Sequence, residues 1–217
     1  MAQKSPSLEF DPLAVENIGV TLAVELLEQP VWRMPPEVFA GAGVYALYYT
    51  GSHPAYADLV RIDQGRHKFP LYIGKAVAQN AKQGFSPAGG AGKKLYDRIH
   101  NHAKSINQAS NLELDDFRCR FLVLNDAYIT LAESVMIRLF RPAWNGTSFV
   151  SNVVGKNRID GDVGIWDALH PGRGGRPSGT ERESVATELI SKRIAELSEP
   201  IKDPQVQRMH DRVMRFV

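Results

Sequence analysis

The chain of 217 residues carries one cysteine, Cys119, so no intramolecular disulfide can form and the core alone must hold the fold. That thiol falls inside an alternating apolar segment, where a small buried side chain is expected, and a reducing compartment follows. No apolar run approaches the roughly 18 residues that a membrane-spanning helix needs. Met1 to Phe10 lacks the basic start and continuous apolar centre of a secretion signal, which leads to the expectation of a soluble, cytoplasmic protein. Neither sign of charge dominates either. Twenty-six Lys and Arg stand against 24 Asp and Glu, for a formal net charge of +2, too mild a balance to demand a polyanionic partner. Internal repeats and low-complexity tracts are absent, which excludes a repeat array.

What is present is a 43% hydrophobic chain, enough at this length to bury one ordinary core, and residues 1–217 are expected to form a single domain. Asp11-Pro12 make a helix start, with Val15, Ile18, Leu22 and Leu26 on one face and Pro30 at the end. Pro35-Pro36 break the chain before a strand from Val44 to Tyr49, in which Val44, Ala46 and Tyr48 point one way and Tyr45, Leu47 and Tyr49 the other. A polar insertion, Thr50 to Phe69, precedes a second strand, Pro70 to Lys75, antiparallel to the first. A Gly/Ala/Gln-rich stretch from Ala76 to Gly92 leads into a helix over Lys93 to Asn107. Phe117 to Leu124 alternates as a third strand, and Asn125 or Asp126 caps a helix that Arg141-Pro142 stops. This order predicts an α+β fold with a small three-stranded antiparallel sheet and flanking helices over residues 41–146. The flanks are a helical extension at 1–40 and a loop with C-terminal helices at 147–217. Loop-like sequence runs from Asn145 to Gly179. Helical stripes then follow at Ala186, Ile190, Ile194 and Leu197, and at Val206, His210, Val213 and Val217.

The helix ending at Phe140 carries the sharpest chemical signal. Glu133 lies on the same stripe as Ile129, Ala132 and Met136, and a carboxylate on a core-facing stripe is costly to desolvate unless a cation or donors meet it. Hard oxygen ligation of this kind suits Mg²⁺, which takes few protein ligands and keeps waters that a phosphate can replace. Arg98 and His102 are spaced i, i+4 beside the stripe of Leu95, Ile99 and Ile106, so an arginine fork and an imidazole can face one phosphate. Tyr45 and Tyr72 are ordinary strand residues taken singly. With Lys75, His102 and a metal-bound water nearby, the Tyr45 phenol is expected to fall from its usual pKa of about 10 far enough to help take a proton from water. Asn145 follows the helix stop, where it is equally a turn residue or a site residue. The glycine-rich stretch from Ser151 to Gly179 holds Lys156, Arg158, Arg173 and Arg176, a solvated loop or a DNA-facing one.

Taken together, Gly43, Tyr45, Tyr72, Gly74, Lys75, Arg98, His102, Glu133 and Asn145 resemble the constellation of the GIY-YIG nucleases, in order, over about half the chain. The resemblance implies that Glu133 binds one divalent metal, that Arg98 and Tyr72 position the scissile phosphate, and that Tyr45 with His102 activates water. Tyr45 and Tyr72 stand 27 positions apart, against a much shorter loop in repair and homing members, and a glycine-rich insertion precedes the Arg98 helix. Both departures, with the stretches Gly41 to Tyr49 and His170-Pro171-Gly172-Arg173, are similar to a small group of type II restriction endonucleases whose known relatives favour CCGCGG. That likeness implies a Mg²⁺-dependent homodimer acting on palindromic double-stranded DNA, with a cognate DNA methyltransferase as a genetic partner. Arg158, Arg173 or Arg176 would then read guanine edges. A monomeric repair or homing nuclease and an inactive DNA-binding relative are the competing readings. Neither extra domains nor a DNA-binding tail is visible for the first, and the glutamate and arginine that an inactive core would lose are both present.

Overall fold

A computed structural model describes residues 11–77, 92–149, 163–174 and 182–216. At its centre lies an antiparallel sheet of β1 (Trp32–Arg33), β2 (Gly43–Tyr49), β3 (Tyr72–Ala76) and β4 (Phe117–Val123), ordered β1-β4-β2-β3. Every residue of β2 is buried, because it is an inner strand with helices on both faces. Its register fixes the site: Tyr45 lies opposite Gly74 of β3 on one side and Phe121 of β4 on the other. The expected three strands are therefore four. The extra strand is two residues long between prolines, too short to show any periodicity.

Strand alternation divides the core into two clusters, one per face. Val44, Ala46 and Tyr48, with Ile73, pack under α1 (Val15–Glu28), α4 (Asp126–Phe140) and α7 (Pro204–Met214). Tyr45, Leu47, Tyr49 and Tyr72 pack under α3 (Lys94–Gln108), α5 (Ile165–Leu169) and α6 (Glu183–Ala195). The expected alternation along the first strand holds.

Helix ends follow local chemistry. The Asn125 side chain accepts from the Ala127 N–H at 3.1 Å to start α4, and Arg141 closes it in the left-handed region at φ 47° before Pro142. Pro204 follows the capping carboxylate of Asp203, which accepts from the Gln205 N–H at 2.9 Å. The polar insertion between β2 and β3 is structured. It contains α2 (Ala57–Asp63), and buried Asp63 accepts from the backbone N–H groups of His67, Lys68 and Phe69 at 2.7–3.0 Å. Likewise α5 interrupts the expected loop between Asn145 and Gly179.

The face expected for α1 is rotated. Gly19, Val20, Ala23, Leu26 and Leu27 are buried against the α4 and α7 layer, whereas Val15 is exposed and Ile18 and Leu22 lie between. Leu26, Val206 and Val213, on the expected helical stripes, cover the core. The same holds for Ala186, Ile190, Ile194 and Leu197 in the other cluster; Val217 lies outside the described residues.

Candidate active site

Tyr45 and Tyr72 project from neighbouring strands toward α3, their ring centres 6.0 Å apart. Gly74 makes this pairing possible: a Cβ there would collide with the Tyr45 hydroxyl and the Tyr72 ring. His102 on α3 descends onto both rings, 5.5 Å from Tyr45 and 5.3 Å from Tyr72. Its Nε2 lies 2.5 Å from the Tyr45 hydroxyl in a buried hydrogen bond.

Electrostatics assign the proton in that bond. Burial, helped by the cations of Arg98 and Arg173, pushes the His102 pKa down to about 3, so the imidazole is neutral and accepts. Burial first, then the neighbouring Tyr72, raise the Tyr45 pKa well above 10 against the Arg98 guanidinium, so the phenol keeps its proton and donates. The expected fall of the Tyr45 pKa is thus reversed in the protein alone: desolvation of a fully buried phenol beats the neighbouring cation. Tyr72, held by the same burial at a pKa of about 12 despite Arg98, is also a donor.

Glu133 comes from α4, on the other side of the sheet, and meets the β3 edge. Its Oε2 lies 2.9 Å from the Lys75 Nζ, which also donates to the Thr130 hydroxyl at 3.3 Å. The carboxylate is one-fifth exposed, and its charge is felt at Tyr72. Among the described residues no three His, Cys, Asp or Glu side chains gather as a metal cage. A single, partly open carboxylate fits a hard cation that keeps its waters and takes phosphate oxygens, and does not fit a closed structural site.

Two predicted site residues have other partners. Asn145 clasps the backbone of Ile73: its Oδ1 accepts from the Ile73 N–H at 3.0 Å and its Nδ2 donates to the Ile73 carbonyl at 2.8 Å. It braces the strand that carries Tyr72 and Gly74, and Arg193 of α6 secures its turn by donating to the Ala143 and Asn145 carbonyls at 2.8 and 2.7 Å. Arg173, expected on a DNA-facing loop, is buried. Its Nε donates to the Asp167 Oδ1 at 2.6 Å, its Nη1 donates to the Phe149 carbonyl at 3.0 Å, and its guanidinium lies 4.4 Å over the Trp166 ring. A buried ion pair and an aromatic face occupy the fork that a base edge would need. Lys156, Arg158 and Arg176 lie outside the described residues. Sequence reasoning passed over Phe149, whose ring stacks on His102 at 4.6 Å and meets Tyr72 edge-on at 5.2 Å. A phenylalanine in a short turn carries no signal of such a contact.

Two tyrosines on adjacent strands, a histidine bonded to one of them, an arginine whose charge reaches both and a carboxylate at the strand edge are thus brought together. A family model described as the Eco29kI GIY-YIG domain matches residues 37–198, from before β2 to beyond α6. The chain belongs to this family of restriction-type nucleases, whose substrate is DNA and whose wider superfamily uses divalent metals. No curated protein matches the chain. Among the described residues no helix is long and apolar enough to cross a membrane.

Proposed function

We propose that the protein is a type II restriction endonuclease that cuts both strands of a palindromic, GC-rich duplex site of the CCGCGG kind, as a homodimer with one Mg²⁺ per active site. The observation that carries the reading is the hydrogen bond from a buried Tyr45 phenol to a neutral His102. A phenol with a raised pKa is a poor base alone, but one that hands its own proton to His102 Nε2 can take a proton from the attacking water in the same motion. The hydroxide oxygen bonds to phosphorus, the bond to the leaving sugar oxygen breaks, and that oxygen leaves with a proton from solvent. Arg98 offers a two-pronged donor to the phosphate oxygens, and the Tyr72 hydroxyl, protonated at neutral pH, donates a further bond. Glu133 would hold the Mg²⁺, which when bound would supply positive charge against the charge developing on the phosphate. Lys75 lies against the same carboxylate and orients it.

One site cuts one strand, and a palindrome presents two equivalent phosphates, so a two-fold dimer suits the task. The bases would be read by Lys156, Arg158 or Arg176. A cognate DNA methyltransferase is the implied genetic partner. Digestion of a randomised plasmid library with Mg²⁺, sequencing of the ends and sedimentation at the working concentration test the reading. Ends sharing one palindrome, from a dimer, are expected. Nicking without site preference, or double-strand cleavage by a strict monomer, would overturn it.

A further inference from the structure

Packed against Tyr72 and His102 lies a group of side chains that the proposed chemistry does not use. Phe149 is buried, and its ring lies nearly parallel to the His102 imidazole, with 21° between planes at 4.6 Å, while its edge abuts Tyr72. The only described polar hold on the Phe149 carbonyl is the Arg173 Nη1 at 3.0 Å. Arg173 is fixed in turn by Asp167 at 2.6 Å and by the Trp166 face, with side chains only 6% and 2% exposed for the pair. Asp167 and Trp166 are neighbours on α5, and Gly172 allows the approach: at φ 126°, its missing side chain leaves room for the Gln108 carbonyl at the end of α3. The segment after α5 is therefore pinned both to α3, which carries Arg98 and His102, and to the turn at Phe149.

We propose that Arg173, with Asp167, is a positioning residue for the cleavage step: it clamps the Phe149 turn so that the ring holds His102 and Tyr72 in register with Tyr45. A buried ion pair is weak evidence of stabilisation, since desolvation offsets most of its attraction. One that grips a backbone carbonyl whose ring touches two reacting side chains has a geometric role. The sequence motif His170-Pro171-Gly172-Arg173 thus serves the centre from inside the core. Arg173 also adds a positive charge near His102, in the same direction as Arg98, which keeps the ring neutral and open to the Tyr45 proton; Tyr45 and Tyr72 are the other titratable groups facing it.

The inference rests on the assignment of His102 as the proton acceptor. The test therefore joins steady-state DNA cleavage with ¹⁵N NMR of the His102 ring in the full chain, a readout that needs no activity. Asp167→Asn with Arg173→Met removes both charges together while keeping the packing over Trp166. It should lower kcat by about ten- to a hundredfold, the scale of misplacing a reacting group. KM for DNA should stay within threefold, and the His102 nitrogens should move and begin to titrate at higher pH than in the wild type. Arg173→Lys, which keeps the charge but not the fork, should fall between the two. Should the double variant fail to fold, Phe149→Leu, which leaves the ion pair intact, should give the same fall in kcat and the same displaced His102 signals. A folded variant with unchanged kcat and unchanged His102 signals overturns the proposal. So does a variant that raises KM alone, since that marks Arg173 as a DNA contact. If the wild type cuts no DNA, the nuclease reading fails, and the His102 signals alone decide whether Arg173 positions the ring.

Discussion

The two faces of one sheet are built from alternate residues of the same strands, yet they differ completely in chemistry. Under α4, Val44, Ala46 and Ile73 meet Ile129, Met136 and Leu139, a mostly aliphatic packing that also takes Tyr48 under the Arg120 guanidinium, with the Lys75–Glu133 ion pair at the β3 edge. Under α3 the next residues along each strand, Tyr45, Leu47 and Tyr72, enter a layer of stacked rings and buried hydrogen bonds. There His102 bonds Tyr45, and His170 bonds Tyr56 and, at 2.9 Å, Asn111. Period two places these partners back to back. One face can then hold imidazoles neutral in a dry, aromatic setting, while the other holds a carboxylate within reach of water and a cation. In the proposed mechanism, the proton-handling pair and the metal-holding carboxylate thus come from opposite faces of one sheet.

Removing the negative charge at the β3 edge should have the largest effect. Glu133→Gln keeps the shape of the side chain and loses the charge proposed to hold Mg²⁺. Cleavage should drop by at least about a thousandfold, several kcal/mol at about 1.4 kcal/mol per decade, with DNA binding retained. Cleavage within tenfold of wild type in a quantitative digestion would show that the edge does not carry the metal. On the aromatic face, Tyr45→Phe and His102→Ala should each slow the cut by about a hundredfold, the scale of a lost proton partner. Normal cleavage by Tyr45→Phe would reduce that face to packing.

The aromatic face should also set the response to acid. Burial first, then Arg98 and Arg173, lower the folded pKa of His102 from 6.5 to about 3, and burial holds that of His170 well below 6.5. Between those limits the unfolded chain binds protons that the folded one refuses. Stability present above pH 6.5 is thus lost as the pH falls toward about 3, by about 1.4 kcal/mol per pH unit for each imidazole. Urea unfolding from pH 7 to 4 measures this slope. His170→Gln should make it shallower by one proton; an unchanged slope would mean that His170 titrates as it does in the unfolded chain. The cleavage rate, for its part, should show no His102 limb near pH 6.5.

The sequence announced these two faces unevenly. Alternation in Val44 to Tyr49 and Phe117 to Val123, the Asn125 cap and the Arg141-Pro142 stop are strong local signals, and Glu133 betrayed itself as a charge on an apolar stripe. Elements too short for a period, such as Trp32–Arg33, α2 and α5, were invisible because tertiary contacts make them. Arg173 was misplaced for a related reason: among glycines an arginine reads as solvated, and only the distant Asp167 to Phe149 geometry draws it inside. The face of α1 was rotated because Gly19 gives no hydrophobic signal, yet it sits where the Val135 side chain leaves no room for a Cβ.

The smallest expected effect separates bracing from chemistry on the strand that the faces share. Asn145 makes both of its hydrogen bonds to the Ile73 backbone and none, among the described residues, to Tyr72 or Glu133. Asn145→Ala deletes two bonds at a half-buried site, where Ile73 can recover part of the loss from water. Stability should fall by about 1–2 kcal/mol. Because Ile73 lies between Tyr72 and Gly74, a loosened strand should shift the Tyr72 donor slightly. Cleavage should therefore fall less than tenfold, with the Mg²⁺ concentration for half-maximal rate unchanged. Asn145→Asp, which keeps the acceptor for the Ile73 N–H but sets a carboxylate oxygen against its carbonyl, should destabilise more than alanine. A hundredfold loss of rate in Asn145→Ala with an unchanged melting temperature would reverse the assignment. Asn145 would then touch the substrate itself, and the strand would need no brace.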